Sequence, residues 1–139
     1  MKRFPKGSKT KIHLATEKYL EAFPDSSFDF IVSLHVIHHI QPQSVALKAI
    51  EEMCRIARKG VLILDLEKMS FGATIYRWFD LIVGVSKTLA EDGEKSQRRA
   101  YKFSEMQPAM EKIAKKYGFH LKAKKHIIMP YWVFILTKV

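Results

Sequence analysis

Three histidines lie close together at His35, His38 and His39, directly after an apolar run. Imidazole titrates near neutral pH, so a histidine placed there can act as a general base, and neutral imidazole is also a common metal ligand. The spacing is not that of a zinc-binding helix, and no nearby cysteine or carboxylate completes a ligand set, so we expect no metal. Packing of the three side chains in a strand-end loop is the structural alternative to a catalytic role.

A second group of polar residues follows later in the chain. Asp65 ends another apolar run, where it can contact a substrate or cap the segment after it. Arginine binds carboxylate and phosphate groups through paired hydrogen bonds, so Arg99 and the nearby Tyr101 are candidate contacts to an anionic or phenolic substrate. A structural ion pair between the arginines at this place and Asp92 or Glu94 is the alternative.

A strand, a helix and a second strand must position these groups. Residues 28–36 are nearly continuously apolar, which is typical of a strand buried on both faces of a parallel sheet. Residues 43–58 follow the 3.6-residue period of a helix, with Gly60 as its stop, and residues 61–66 form a second buried strand. This βαβ unit predicts a parallel crossover that places the carboxyl ends of both strands side by side, where open α/β sheets bind ligands.

The flanking segments predict the remaining elements. A short strand is expected at residues 11–16, and a helix at 71–90 carries aromatic residues that either cover a bound apolar ligand or pack in the core. Residues 91–101 read as a polar loop with an Asp-Gly turn. A helix then starts with Ser104 as N-cap and ends before Gly118, and two closing strands form a hairpin at Met129–Pro130.

Composition limits the class of protein. The chain has 139 residues, of which 47% are hydrophobic, so we expect one domain over 1–139 with its own core. The formal net charge is +10, but the lysines are scattered, which makes nucleic-acid binding the less favoured reading of that charge. Cys54 is the only cysteine, and no run is long enough to span a membrane. We expect a cytoplasmic protein with no membrane association.

The stretch "FPDSSFDFIVSLHVIHHI", followed by a helix and "RIARKGVLILDL", resembles the class I S-adenosylmethionine-dependent methyltransferases. Later motifs resemble one subgroup of that family: Asp65-Leu66, Asp92-Gly93, Ser96, Arg99-Ala100-Tyr101 and Gly118-Phe119. The resemblance implies an α/β fold, a partial Rossmann-like methyltransferase sheet of parallel strands with a C-terminal antiparallel hairpin. It also implies methyl transfer from S-adenosylmethionine to a small-molecule acceptor.

The same resemblance implies roles for individual residues. The histidines His38 and His39 are candidate general bases. The cofactor-binding candidates are Thr16, Glu17, Ser33, Leu34 and His35, and the substrate-binding candidates are Asp65, Arg99 and Tyr101. Glu17 would accept a hydrogen bond from the adenine amino group, or else it is a surface carboxylate.

One departure from the family pattern matters. The Gly-rich cofactor loop is absent, and so is the acidic residue that holds the ribose, which leaves the family's first two strands without counterparts. The strand at 28–36 then becomes a sheet edge whose unpaired backbone groups favour self-association or a partner chain. We expect this chain to be inactive alone. The alternatives are a non-catalytic, methyltransferase-like interaction or regulatory protein, and a basic nucleic-acid binder.

Overall fold

The structure is a computed structural model that describes residues 20–68, 82–84, 87–126 and 130–138. The strand predicted at 11–16 lies outside these residues, as do Thr16, Glu17 and most of the helix predicted at 71–90. In the part of the chain that is described, no helix has the length and apolar character needed to cross a membrane.

The described elements alternate between strands and helices. Strand β1 (Phe28–Leu34) leads through a 3₁₀ turn (Ile37–His39) into helix α1 (Gln43–Ile56) and strand β2 (Ala57–Leu66). Helix α2 (Lys87–Arg99), helix α3 (Phe103–Tyr117), strand β3 (His120–Lys125) and strand β4 (Tyr131–Thr137) follow.

These strands form one four-stranded sheet in the order β1-β2-β4-β3. β1 and β2 are parallel, whereas β4 is antiparallel to both β2 and β3. The predicted α/β class, the parallel pair and the C-terminal hairpin are therefore confirmed. β1 lies at one edge of the described sheet, as the departure from the family pattern predicted.

Paired residues project to the same side of a sheet, so the register defines two faces. What we call the covered face carries the rows Ile31–Val61–Leu136–Leu121 and Ser33–Ile63–Phe134–Ala123. What we call the open face carries the rows Val32–Leu62–Ile135–Lys122 and Leu34–Leu64–Val133–Lys124. The hydrophobic core of the described residues joins the covered face to α1 and α3, and it includes no side chain of the open face.

Burial of β1 on both faces, which its apolar run predicted, is wrong. Phe30 is 64% exposed, and Val32 and Leu34 are also more than half exposed. Helix α1 ends at Ile56, two residues before the predicted end, and Gly60 lies inside β2 rather than at a helix stop. A Cβ at Gly60 would lie 3.1 Å from the Phe30 ring and 3.0 Å from the Leu136 carbonyl oxygen, so close packing explains this glycine.

The polar loop predicted at 91–101 is also wrong, because helix α2 runs through most of it and the predicted Asp-Gly turn lies inside the helix. Lysine, glutamate, glutamine and arginine are good helix formers and dominate this segment. Arg98 lies 2.7 Å from Glu94, one turn earlier, which confirms the ion pair that was the alternative to substrate binding by the arginines.

Helix α3 begins two residues before the expected capping box. Its N-cap is Lys102, which makes no side-chain capping hydrogen bond, and the backbone N–H of Phe103 instead donates to the Glu67 carboxylate at 2.7 Å. The Glu67 carboxylate, just after the end of β2, thus caps the helix, which is the role that the sequence predicted for Ser104. The predicted end of the helix at Gly118 is confirmed, with this glycine in the left-handed region at φ 69°.

Candidate active site at the carboxyl ends of the parallel strands

His38 and Asp65 form a buried hydrogen-bonded pair where β1 and β2 end. His38 Nδ1 lies 2.5 Å from Asp65 Oδ1, and the His38 backbone N–H donates to Asp65 Oδ2 at 3.1 Å. The backbone N–H of Leu66 donates to Oδ1 at 2.6 Å. His38 is 2% exposed and Asp65 is 0% exposed. The parallel pairing of β1 and β2 therefore brings together two residues that are 27 positions apart in sequence.

This geometry sets the tautomer of His38. Both Asp65 oxygens accept hydrogen bonds from backbone N–H groups, so the contact with the ring is one in which Nδ1–H donates. A neutral imidazole with its proton on Nδ1 has its lone pair on Nε2. Within the described residues, Nε2 has no hydrogen-bond partner. The pair therefore presents an oriented imidazole nitrogen that can accept a proton.

His39 lies beside this pair on the surface. Its ring centroid is 4.0 Å from that of His38. Partial burial lowers the pKa of His39, the neighbouring His38 lowers it further, and the charge of Asp65 acts in the opposite direction. His39 is thus biased towards its neutral form.

His35 shapes the end of β1. Its φ of 54° is in the left-handed region, which is uncommon for a residue other than glycine, and its backbone N–H donates to the Leu64 carbonyl at 2.9 Å. The imidazole packs edge-on against the Tyr131 ring, with centroids 5.2 Å apart. This backbone N–H is therefore already used within the sheet.

The two other described cofactor candidates differ from each other. Ser33 lies on the covered face, 5% exposed, and its Oγ atom has no hydrogen-bond partner among the described residues. Leu34 projects from the open face and is 53% exposed. A buried hydroxyl without a partner fits a contact to a polar ligand. Because the His35 N–H is already bonded, the described residues fit only part of a cofactor site.

Tyr101 and the backbone of Arg99 contact the segment of the 3₁₀ turn, and their substrate-binding role stays a prediction. The Tyr101 hydroxyl donates to the Ile40 carbonyl at 2.5 Å, and burial together with the charge of Asp65 raises the pKa of Tyr101, which keeps this hydroxyl a donor. Gln41 Nε2 donates to the carbonyls of His38 (3.1 Å) and Arg99 (3.0 Å). Arg99 therefore contributes its backbone to this contact between α2 and the 3₁₀ turn.

Sequence reasoning missed Gln97 on the same helix. Gln97 is 3% exposed, and both its amide nitrogen and its amide oxygen lack partners within the described residues. Gln97 lies on α2 beside the buried Ser96, and Ala100, directly after the helix, is also buried. This helical spacing was the available signal, but the segment had been interpreted as a loop.

The described residues contain no group of three or more histidine, cysteine, aspartate or glutamate side chains that could hold a metal ion. The three histidines do not converge on one point: His38 faces Asp65, His35 packs on Tyr131 and His39 is exposed. The expectation of no metal stays a prediction.

Comparison with known proteins supports the resemblance. A family model described as a methyltransferase domain matches residues 2–64. No curated protein matches the sequence.

Several solved structures share the fold at low sequence identity. One is the methyltransferase domain of bacterial CtHen1-C, with a TM-score of 0.53 and 15% sequence identity. The match covers 79% of this chain and 52% of that domain. A second is a SAM-dependent methyltransferase of Thermotoga maritima, described as a possible histamine N-methyltransferase, with a TM-score of 0.51 and 19% sequence identity. The match covers 85% of this chain and 59% of that protein. A third is an O-methyltransferase family protein from Burkholderia thailandensis, with a TM-score of 0.50 and 12% sequence identity. The match covers 93% of this chain and 35% of that protein.

In the first two of these structures the chain spans somewhat more than half of the matched protein's length. The match of residues 2–64 to a methyltransferase-domain model and the fold shared with these structures agree with the resemblance that the sequence motifs show.

Proposed function

We propose that the protein takes part in methyl transfer from S-adenosylmethionine to a small-molecule acceptor, with His38 as the general base. The oriented His38–Asp65 pair at the carboxyl ends of two parallel strands carries this proposal. Ligands of open α/β sheets bind at this edge, and a base must lie within reach of the proton that it removes.

In this proposal Asp65 positions His38 instead of binding the substrate. Its carboxylate is fully buried and already accepts hydrogen bonds from His38 and Leu66. A buried carboxylate bonded to Nδ1 fixes the ring orientation and stabilises the imidazolium that forms when Nε2 takes a proton. His39, exposed beside it, is the second candidate base.

S-adenosylmethionine would supply an already activated methyl group, so the protein has to bind, orient and exclude water. On the family resemblance, Thr16, Glu17, Ser33, Leu34 and His35 would contact this cofactor. The resemblance also assigns acceptor contacts to Arg99 and Tyr101. The contacts of Arg99 and Tyr101 with the 3₁₀ turn favour an indirect contribution, through the position of His38.

We further propose that this chain alone is inactive, because its sequence lacks the Gly-rich cofactor loop. The proposed location is the cytoplasm, on the argument from the single cysteine.

The test is titration of the ¹⁵N-labelled chain with S-adenosylmethionine. We expect a dissociation constant of about 1 mM or weaker, since the sequence lacks the Gly-rich cofactor loop. Amide shifts should be confined to residues 16–17, 33–39 and 65–66. Ser33→Ala should weaken them, whereas Ser104→Ala, on the exposed surface of α3, should not. Shifts elsewhere, or none at millimolar ligand, would refute the site, and micromolar binding would refute inactivity.

A second candidate function is non-catalytic interaction with a partner chain, as a methyltransferase-like regulatory protein. The observation that favours it is the edge position of β1 with its exposed apolar side chains. A free apolar edge strand favours pairing with another chain. Sedimentation of the chain as a stable monomer over its whole soluble range would count against self-association.

A further inference from the structure

The open face of the sheet carries apolar side chains that are exposed on β1 and mostly half-buried on β2 and β4, and the face ends in two lysines. The two rows that cross all four strands begin at Val32 and Leu34 on β1 and end at Lys122 and Lys124 on β3. The Phe30 ring lies over Gly60 and extends the apolar surface by one more position. Exposed apolar side chains in one contiguous group are unusual on a protein that works alone.

A helix is the element that fits such a face. Sheets of α/β proteins are covered by helices on both sides, and among the described elements α1 and α3 cover only one side. The core cluster of the described residues stops at the sheet. The open face is therefore suited to an amphipathic helix that lies across β1, β2 and β4.

The lysines indicate the charge of that helix. Lys122 and Lys124 are exposed and pair with no carboxylate within the described residues. They stand at the border of the apolar rows, where carboxylates flanking an apolar stripe would meet them. A second copy of this chain would bring another net charge of +10 to the same place, which disfavours self-association through this face.

A lipid surface fits less well. Inserting Phe30, Val32 and Leu34 into hydrocarbon would also insert the outer edge of β1, which pairs with no strand among the described residues. Unpaired backbone groups do not occur in the hydrocarbon region, because nothing there can accept or donate their hydrogen bonds. A helix laid on the face leaves the same edge in water.

We propose that the open face binds an amphipathic helix of a partner polypeptide whose apolar stripe is flanked by aspartate or glutamate. This inference extends the second candidate function, and it is independent of the His38–Asp65 pair. Failure of the experiment below would therefore leave the proposed methyl transfer untouched.

The experiment uses two synthetic helical peptides of about 18 residues, long enough to cross the sheet. Both carry the same leucine stripe, flanked by glutamates in one and by lysines in the other. Fluorescence anisotropy with the full chain should show the glutamate peptide binding about tenfold more tightly. The double variant Lys122→Glu/Lys124→Glu should reverse that order, and Phe30→Ser/Val32→Ser should weaken both peptides.

A matched control variant makes the same change in net charge on the opposite side of the sheet. Lys112→Glu/Lys115→Glu on α3 replaces two exposed lysines that lie on a helix of the other side, and it should leave the order unchanged. Circular dichroism checks that each variant is folded. Equal binding of the two peptides, binding of neither, or an order that follows the α3 lysines would overturn the proposal. So would binding to vesicles of anionic phospholipid that the Phe30→Ser/Val32→Ser variant loses.

Discussion

Alternate residues of the same four strands make two faces with opposite environments. On the covered face Phe134 is 0% exposed, stacked on Phe103 and tilted against Trp132. On the open face Val32, one position away from a buried serine, is 58% exposed. The strands are equally apolar on both sides, so hydrophobicity alone does not tell which side has a partner within the described residues. What differs is the presence of α1 and α3.

The candidate site belongs to the covered side. Asp65 lies in the covered-face row with Trp132 and Lys125, and His38 reaches it from the 3₁₀ turn. A buried polar pair needs rigid, dry surroundings, which only this side supplies. The open side instead exposes apolar side chains of β1, which suits a surface for docking. The covered side thus holds the candidate active site, whereas the open side holds the surface that we propose for partner binding.

Truncating matched phenylalanines gives the largest contrast between the faces. Phe134→Ala should lower the free energy of unfolding by about 3–5 kcal/mol, because it empties a packed site in the core. Phe30→Ala should lower it by less than about 1 kcal/mol, since most of that ring already contacts water. Urea denaturation measures both.

Should Phe134→Ala fail to fold, a milder pair keeps the contrast measurable. Ile63→Val on the covered face should cost about 0.5–1.5 kcal/mol, more than Val32→Ala on the open face. Equal losses in the two members of either pair would mean that the open face is covered after all.

The buried carboxylate gives the next largest effect. Asp65→Asn should destabilise by about 1–3 kcal/mol, because the asparagine amide cannot accept all the hydrogen bonds that the carboxylate does. It should also weaken the preference of His38 for the tautomer with its proton on Nδ1, and ¹⁵N chemical shifts of the ring report this change. Asp29→Asn, at an exposed carboxylate 3.4 Å from Arg58, should cost less than about 1 kcal/mol. An unchanged His38 spectrum in Asp65→Asn would exclude a positioning role.

The parallel unit was predictable because its signals are local. Apolar runs and a 3.6-residue period predicted β1, α1 and β2 within a few residues, and topology then required the ends of β1 and β2 to be adjacent. His38 and Asp65 could therefore each be selected from sequence. Their hydrogen bond could not, since it depends on the turn at His35 and the 3₁₀ geometry after it.

Long-range contacts explain what sequence reasoning missed. Helix α2 is polar, and although its residues are good helix formers, the burial of Ser96 and Gln97 depends on packing against other parts of the chain. The cap of α3 comes from Glu67, 36 positions away, so the local capping box at Ser104 was misleading. The apolar run of β1 indicated burial, but a strand is buried on both sides only when both sides have neighbours.

Gln97 tests whether the covered side hides polar groups without partners. Gln97→Met removes a buried amide that makes no described hydrogen bond and keeps nearly the same volume. We expect the free energy of unfolding to stay constant or rise by up to about 1 kcal/mol. Gln107→Met, at an amide that bonds Glu111 on the surface at 2.9 Å, is the control and should change little. A loss above about 1 kcal/mol in Gln97→Met would show that the amide has a partner.

The smallest expected effect is the pH dependence contributed by His39. Its pKa lies below the usual 6.5 in the folded protein, mainly because partial burial penalises the charged ring. As the pH falls below 6.5, the unfolded chain therefore binds this proton first, and the free energy of unfolding decreases until the folded-state pKa is passed. Urea midpoints on both sides of that window should differ less in His39→Gln than in the parent. A His39 ring that titrates above 6.5 by NMR would contradict this prediction. It would mean that the attraction between the charged ring and the Asp65 carboxylate outweighs the effect of burial on the pKa of His39.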